Sequence, residues 1–217
     1  MNVCAINIAR LQQIEFSGEL VDTGIFKQPV EGVVDISLSG VAGDVIADAS
    51  VHGGPDQAVY LYSSEDYQWW EQQLGKALPA GIFGENLTTE GLDVTALTIG
   101  DRLVFDTLVL EITAPRTPCF KLATRMEDPT FAKKFVKAAR PGAYARVITP
   151  GKISAGDHFS LQSTEQDFAT TADVFEIWHA KQRSRELMRK ILDSPVSLIH
   201  KLTVQQWYSA AESGASD

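Results

Sequence analysis

Leu108-Val109-Leu110-Glu111-Ile112-Thr113-Ala114-Pro115-Arg116-Thr117-Pro118-Cys119-Phe120-Lys121 begins as a β-branched apolar run and ends in a stiff cysteine loop. The run reads as a strand that delivers the chain into the loop. Pro118 fixes its own φ and biases Thr117 towards extended geometry, so the direction of Cys119 is set before any ligand arrives. Arg116 and Lys121 flank the cysteine, and cationic neighbours favour the thiolate, the form that attacks electrophiles and binds metals. An inert core thiol is the competing reading, because free cysteine is among the most buried residue types.

Outward from this stretch the same texture repeats. Short, glycine-punctuated apolar runs at 3–8, 32–38, 41–44, 58–62, 94–97, 99–105 and 144–148 predict strands of a mainly β fold, a sheet or barrel. Two helices interrupt them. One is capped by Ser63 or Ser64 and runs to about Leu74, with Gly75 as its stop. The other opens at Asp128-Pro129, carries Phe131 and Phe135 one turn apart and ends near Pro141-Gly142. From about Thr164 strand patterns cease, and helices are predicted over 171–181, 184–192 and 203–211, the last with Thr203 and Gln206 as a capping box. Their shared core is assigned to Val174, Ile177, Trp178, Leu187, Ile191, Leu192, Leu198, Val204 and Trp207. The expected division is a β unit over 1–163 and a three-helix unit over 164–217, the latter marginal alone and therefore docked on something.

The 217 residues are 44% hydrophobic, enough for one substantial core and a small appended module. A net charge of -9 argues against binding nucleic-acid polymers or anionic membranes. No stretch approaches the roughly 18 apolar residues of a membrane helix, and the N-terminus has no basic segment followed by an apolar run, so a soluble cytoplasmic protein is expected. Cys4 and Cys119 make neither a disulfide framework nor a zinc spacing. The charge is uneven. From Arg116 to Arg146 there are eight basic side chains against two acidic, whereas residues 1–115 hold four basic and seventeen acidic. A cationic island beside a cysteine suggests a small phosphate- or carboxylate-bearing ligand, while Lys133, Lys134 and Lys137 read as a solvated helix face.

Three further places carry candidate chemistry. In Val51-His52-Gly53-Gly54-Pro55-Asp56 the glycines permit a tight turn and close backbone approach to an anion, His52 could donate to that ligand, and Asp56 could orient a neighbour; a glycine turn between strands is the alternative. Asn86 offers a donor and an acceptor, for a ligand edge or for a turn. Arg146 sits in an alternating strand and points either into a site or outward. One mechanism makes Cys119 a nucleophile with His52 as base and Asp56 or Asn86 as orienter, a hydrolase or transferase. The other makes Cys119 a ligand to a soft metal carried by an anionic cofactor, which also uses the charge island. His179 and His200 are read as structural.

The motifs Val51-His52-Gly53-Gly54-Pro55-Asp56, Phe83-Gly84-Glu85-Asn86-Leu87, Gly100-Asp101, Pro115-Arg116-Thr117-Pro118-Cys119-Phe120-Lys121-Leu122 and Pro150-Gly151-Lys152-Ile153-Ser154-Ala155, in this order, resemble the YiiM-type members of the MOSC family. MOSC names the domain found at the C-terminus of molybdenum cofactor sulfurases. The resemblance runs to about Leu161, and the tail around Ile177-Trp178-His179 is similar to the three-helix domain that follows MOSC in this type. It implies a distorted MOSC-type β-barrel with inserted helices and a small C-terminal three-helix bundle. It also implies molybdenum cofactor (Mo-molybdopterin), with Cys119 as the protein's metal ligand. Arg116, Lys121 and Arg146 are then candidates for the cofactor phosphate, Gly53 and Gly54 for close backbone approach, and His52, Asp56 and Asn86 for proton supply or polar cofactor contacts. The implied activity is reduction of N-hydroxylated compounds, including hydroxylaminopurine-like base analogues, to amines. No flavin or iron-sulfur signature is present, so electrons would come from an external reductase, a flavoprotein. A cofactor carrier without its own catalysis is the remaining alternative.

Overall fold

The computed structural model describes residues 1–47 and 53–212. The chain opens with β1 (Asn2–Ile8) and a hairpin, β2 (Gln12–Phe16) and β3 (Glu19–Thr23), followed by β4 (Gln28–Val30), β5 (Val34–Ser37) and β6 (Gly40–Val41). The hairpin, not anticipated from sequence, turns on two residues, Ser17 and Gly18, at φ 54° and 83°. Left-handed backbone at both positions matches the twist of the flanking strands. A 3-10 turn at Pro55–Gln57 leads into β7 (Val59–Ser63) and α1 (Ser64–Leu74). The hydroxyl of Ser63 accepts from Asp66 N at 3.1 Å, and Gly75 closes the helix at φ 66°, as its sequence predicts.

After β8 (Leu87–Glu90), the predicted strand at 94–97 is instead a 3-10 turn at Val94–Ala96. The Asp93 carboxylate accepts from Thr95 N and Ala96 N at 3.1 and 3.3 Å, a local alternative to a ladder. Next come β9 (Arg102–Val104), β10 (Val109–Pro115), α2 (Phe120–Arg125) and α3 (Phe131–Ala138). The helix predicted to open at Asp128 starts later because Asp128 Oδ1 first folds a turn onto Thr130 N at 2.8 Å. The β unit ends with β11 (Ala143–Thr149), β12 (Gly151–Ile153) and β13 (Ser160–Gln162).

Eight strands form one sheet in the order β13-β9-β10-β11-β7-β8-β1-β4, antiparallel except for β7 with β8. The sheet curls until β1 meets the segment entering β13. Val3 N donates to Asp157 O at 2.9 Å, Gly156 N to Val3 O at 2.7 Å and Phe159 N to Met1 O at 3.1 Å, with a bridge between Asn2 and His158. These bonds give the distorted barrel that the family resemblance implies. β12, β5 and β6 form a separate three-stranded ladder.

The tail consists of α4 (Thr171–His179), α5 (Arg185–Asp193) and α6 (Leu198–Glu212). Its capping box lies at Thr170 and Asp173 of α4. Thr203, predicted to cap the last helix, is inside α6 and donates to Ile199 O at 3.0 Å, so this helix begins a turn earlier than its pattern implies. Leu198, assigned to the tail core, is 60% exposed. Val174, Ile177, Ile191 and Val204 are buried in one aliphatic core with Ile6, Leu61, Leu103, Leu110 and Ile112 of the sheet. Each such side chain contributes roughly 1.5–3 kcal/mol of burial, which makes the sheet the surface on which the helices dock. A second cluster is aromatic: Tyr62, Trp70, Phe83, Phe131, Phe135 and Phe175 join α1, α3 and α4 to β7.

Candidate functional site

Cys119 terminates the loop after β10 and stands at the N-cap of α2, half-buried and in no disulfide. Helix α2 is too short to show a period in sequence, yet it fixes Lys121, two residues after the thiol. A cleft of about 650 Å³, including its open mouth, lies beside it. Cys119, Arg116, Lys121, Asn86 and Gly53 all line this cleft, together with Lys27, Asp44, Tyr60, Tyr144, Gln57 and Gly84.

Arg116 is buried, and its Nη1 donates to Phe83 O while the guanidinium lies 5.1 Å from the centre of the Tyr60 ring. Burial alone would pull its pKa down, but the phenols of Tyr144 and Tyr60 and the thiol of Cys119 reverse the shift, so it stays charged. A Cβ on Gly84, whose φ is +76°, would sit 3.1 Å from Arg116 Nη1, so this loop position suits glycine on both counts. Lys121, also buried, donates from Nζ to Asp22 O of β3 at 3.0 Å.

Lys27 is the third cation. It pairs with Asp44, whose Oδ1 accepts from Ala9 N at 2.8 Å and whose Oδ2 accepts from Asn86 Nδ2 at 2.8 Å. Burial pushes the Lys27 amine down; Asp44 opposes that shift and Arg116 adds to it. Asn86 Oδ1 accepts from Tyr60 N at 3.1 Å. The asparagine therefore holds Asp44, and through it Lys27, at the cleft wall. Burial raises the pKa of both Tyr60 and Tyr144, so both phenols remain protonated beside the arginine.

Other candidates stand elsewhere. Asp56 accepts from Leu198 N at 2.9 Å through Oδ2 and pairs with Arg146 at 3.1 Å through Oδ1. Arg146 also donates to Pro195 O at 2.8 Å and lies 3.6 Å from Glu111. Both side chains are committed to the joint between barrel and tail, and neither lines the cleft. Gly54 caps the 3-10 turn and does not line it either. His52 lies outside the described residues. Lys133, Lys134 and Lys137 are exposed, as their pattern implies. His200 is buried with Nδ1 2.8 Å from Ser197 Oγ, a structural histidine.

Sequence reasoning missed Lys27, Asp44, Tyr60 and Tyr144. Lys27 left a trace, as one of four basic residues in the otherwise acidic first 115. Asp44 had none, because its role comes from Asn86 and Ala9, which only the fold brings near.

Among the described residues no three His, Cys, Asp or Glu side chains cluster to hold a metal ion. A bare ion would find one thiolate here. The donor set instead suits a metal that arrives with its own sulfur ligands on an anionic scaffold, with Arg116, Lys121 and Lys27 to meet the anion.

A curled mixed sheet carrying a proline-backed cysteine at a cationic cleft is the class of domain to which comparison leads. The MOSC domain family matches residues 48–160, and the chain belongs to it. Its relatives include proteins called YflK and YiiM. YflK of Bacillus subtilis (strain 168) is 36% identical over 162 residues, 75% of this chain and 73% of that protein. YiiM of Escherichia coli (strain K12) is 31% identical over 160 residues, covering 72% and 71%. The crystal structure of YiiM from Geobacillus stearothermophilus superposes with a TM-score of 0.79 at 28% identity, over 95% of this chain and 98% of that one. A protein of Gibberella moniliformis (strain M3125 / FGSC 7600) called a reductase is 31% identical over 196 residues, 88% of this chain but only 35% of that protein. MOSC domains are associated in general with molybdenum cofactor, and this places the chain in cofactor-related chemistry. Among the described residues no helix is long and apolar enough to cross a membrane.

Proposed function

We propose that the protein is a molybdenum-cofactor-dependent reductase that converts N-hydroxylated compounds, such as hydroxylaminopurine-like base analogues, to amines. The observation that carries this reading is the convergence of one thiol and three cations on a single cleft in an acidic protein. Cys119 is the protein ligand to the metal. Arg116, Lys121 and Lys27 hold the anionic part of the cofactor, and Tyr60 and Tyr144 wall the cleft. When bound, the cofactor supplies a two-electron centre that accepts a thiolate ligand readily. The reaction takes a hydroxylamine, two electrons and two protons to an amine and water. The electrons come from an external flavoprotein reductase, and the relation to a longer fungal reductase supports that direction.

The nucleophile reading loses its orienting partners. Asp56 is held by Leu198 N and Arg146, and the Asn86 amide by Asp44 and Tyr60 N. Protein made in a cofactor-competent host is expected to contain molybdenum with sulfur-to-metal absorption bands, and Cys119→Ser to lose both. Metal retained at full occupancy in that variant overturns the assignment. Turnover of a hydroxylamino purine with a chemical electron donor separates a reductase from a carrier.

A further inference from the structure

The joint between tail and barrel grips the back of the loop whose front lines the cleft. Gly53 and Gln57 line the cleft, and between them lies the Pro55–Gln57 turn. Gly53 N donates to Gln57 Oε1 at 3.3 Å and Gln57 N to Gly54 O at 3.0 Å, so the loop is tied across its own width. On its far side Asp56 leaves the cleft. One carboxylate oxygen accepts from Leu198 N, the first residue of α6, at 2.9 Å, and the other meets Arg146 at 3.1 Å. Thr113 Oγ1 of β10 donates to Asp56 O at 2.6 Å, and Ser197 N of the tail donates to Thr113 O at 3.0 Å. Arg146 completes the ring by donating to Pro195 O at 2.8 Å.

The first turn of α6 holds no acidic residue. A helix start leaves backbone N–H groups and a partial positive charge to be satisfied, and here a carboxylate from the barrel does so. Asp56 thus serves the tail and the cleft loop at once.

We propose that Asp56 and Arg146 are positioning residues: they clamp the start of α6 to the Gly53–Gln57 loop, so that the helical tail sets the shape of the cleft at Cys119. This assigns the tail a role that its own surface does not suggest. It rests on the cleft being the working site, as proposed above, and not on which cofactor fills it.

The test uses the cofactor-free full chain with Cys4→Ser, so that only Cys119 is alkylated, and reads the rate of its reaction with iodoacetamide. Asp56→Ala and Arg146→Ala are expected to raise that rate roughly threefold to tenfold, within the range of about twofold to thirtyfold by which residues linking two sites modulate their coupling. Asp56→Asn keeps an acceptor for Leu198 N but loses the charge, and should lie between Asp56→Ala and the parent. Trp207→Ala loosens the tail where Trp207 packs on Trp178, 5.1 Å between ring centres, at a residue more than two turns of α6 beyond Leu198 that touches neither Asp56 nor Arg146; it should lower Tm without changing the rate. Unchanged alkylation in both alanine variants, or an equal change in Trp207→Ala, overturns the proposal. Because no metal is involved, failure here is distinct from failure of the reductase reading.

Discussion

Arg116, just past the end of β10, and Arg146, on the neighbouring β11, belong to the same cationic island, yet their surroundings are opposite. Arg146 lies directly across from Glu111 in the β10–β11 register and has Asp56 on its other side, so two carboxylates neutralise it. Arg116 follows the end of β10, where among the described residues it meets a carbonyl, an aromatic ring and the neighbouring phenol and thiol groups. A buried cation without a carboxylate is costly to the fold unless an anion visits it. One met by two carboxylates is a structural clasp. The contrast teaches that a cluster of like charges in sequence divides into ligand-facing and fold-holding members according to which carboxylates the fold brings to each.

The sharpest way to break this contrast is Arg116→Ala. Loss of one buried, charge-assisted contact of about 1.5–3 kcal/mol should weaken cofactor retention roughly tenfold to a hundredfold, measured as molybdenum remaining after dialysis. Arg146→Ala should do the reverse. Retention changes by no more than a few-fold, while removal of the partner of Asp56 and Glu111 costs about 2 kcal/mol and lowers Tm by roughly 4–8 °C. If Arg146→Ala empties the site as thoroughly as Arg116→Ala, the division between the two arginines is wrong.

Which parts of this were legible follows from how local each signal is. The α1 helix was readable because its caps, Ser63 and Gly75, immediately flank it and the spacing of Tyr67 and Trp70 lies within it. The cysteine loop was readable because Pro118, Arg116 and Lys121 are its own neighbours. The β2–β3 hairpin was not, because Ser17-Gly18 is a weaker turn signal than Asn-Gly or Asp-Gly and its strands bury only Ile14 and Thr23 while leaving Phe16 and Leu20 exposed, so no apolar alternation marks them. Arg146 and Asp56 had the right chemistry for a ligand site, but Glu111, Leu198 and Pro195 claim them across long stretches of chain. No spacing rule reports such partners. Lys27 reached the cleft the same way, through Asp44 and Asn86.

A pH titration distinguishes the two regions again. Burial pushes His200, beside the joint, down to about 4, whereas in the unfolded chain it titrates near 6.5. Above the unfolded value both states are neutral and nothing is lost. As pH falls through 6.5 the unfolded state takes up a proton that the folded state refuses, so stability declines until the folded value is reached and then levels off. The loss by pH 5 is about 1–2 kcal/mol, and urea midpoints measured from pH 7 to 4.5 should show it. His200→Gln should flatten that part of the curve. A slope unchanged in the variant would move the acid sensitivity elsewhere.

The smallest expected effect comes from the rest of the island. Lys133, Lys134 and Lys137 lie on the exposed face of α3, and Lys134 meets Asp128 at 2.7 Å in the open. An exposed pair of this kind contributes little, because solvent screens it and two long side chains must be ordered to make it. Replacing all three lysines with glutamine should change stability by less than about 1 kcal/mol. More tellingly, cofactor retention should stay within about twofold at physiological ionic strength, where charges more than about 8 Å away are largely screened. A larger drop would mean that the anion senses the whole island as a field, and the distinction drawn from the carboxylates around Arg116 and Arg146 would then be secondary to net charge.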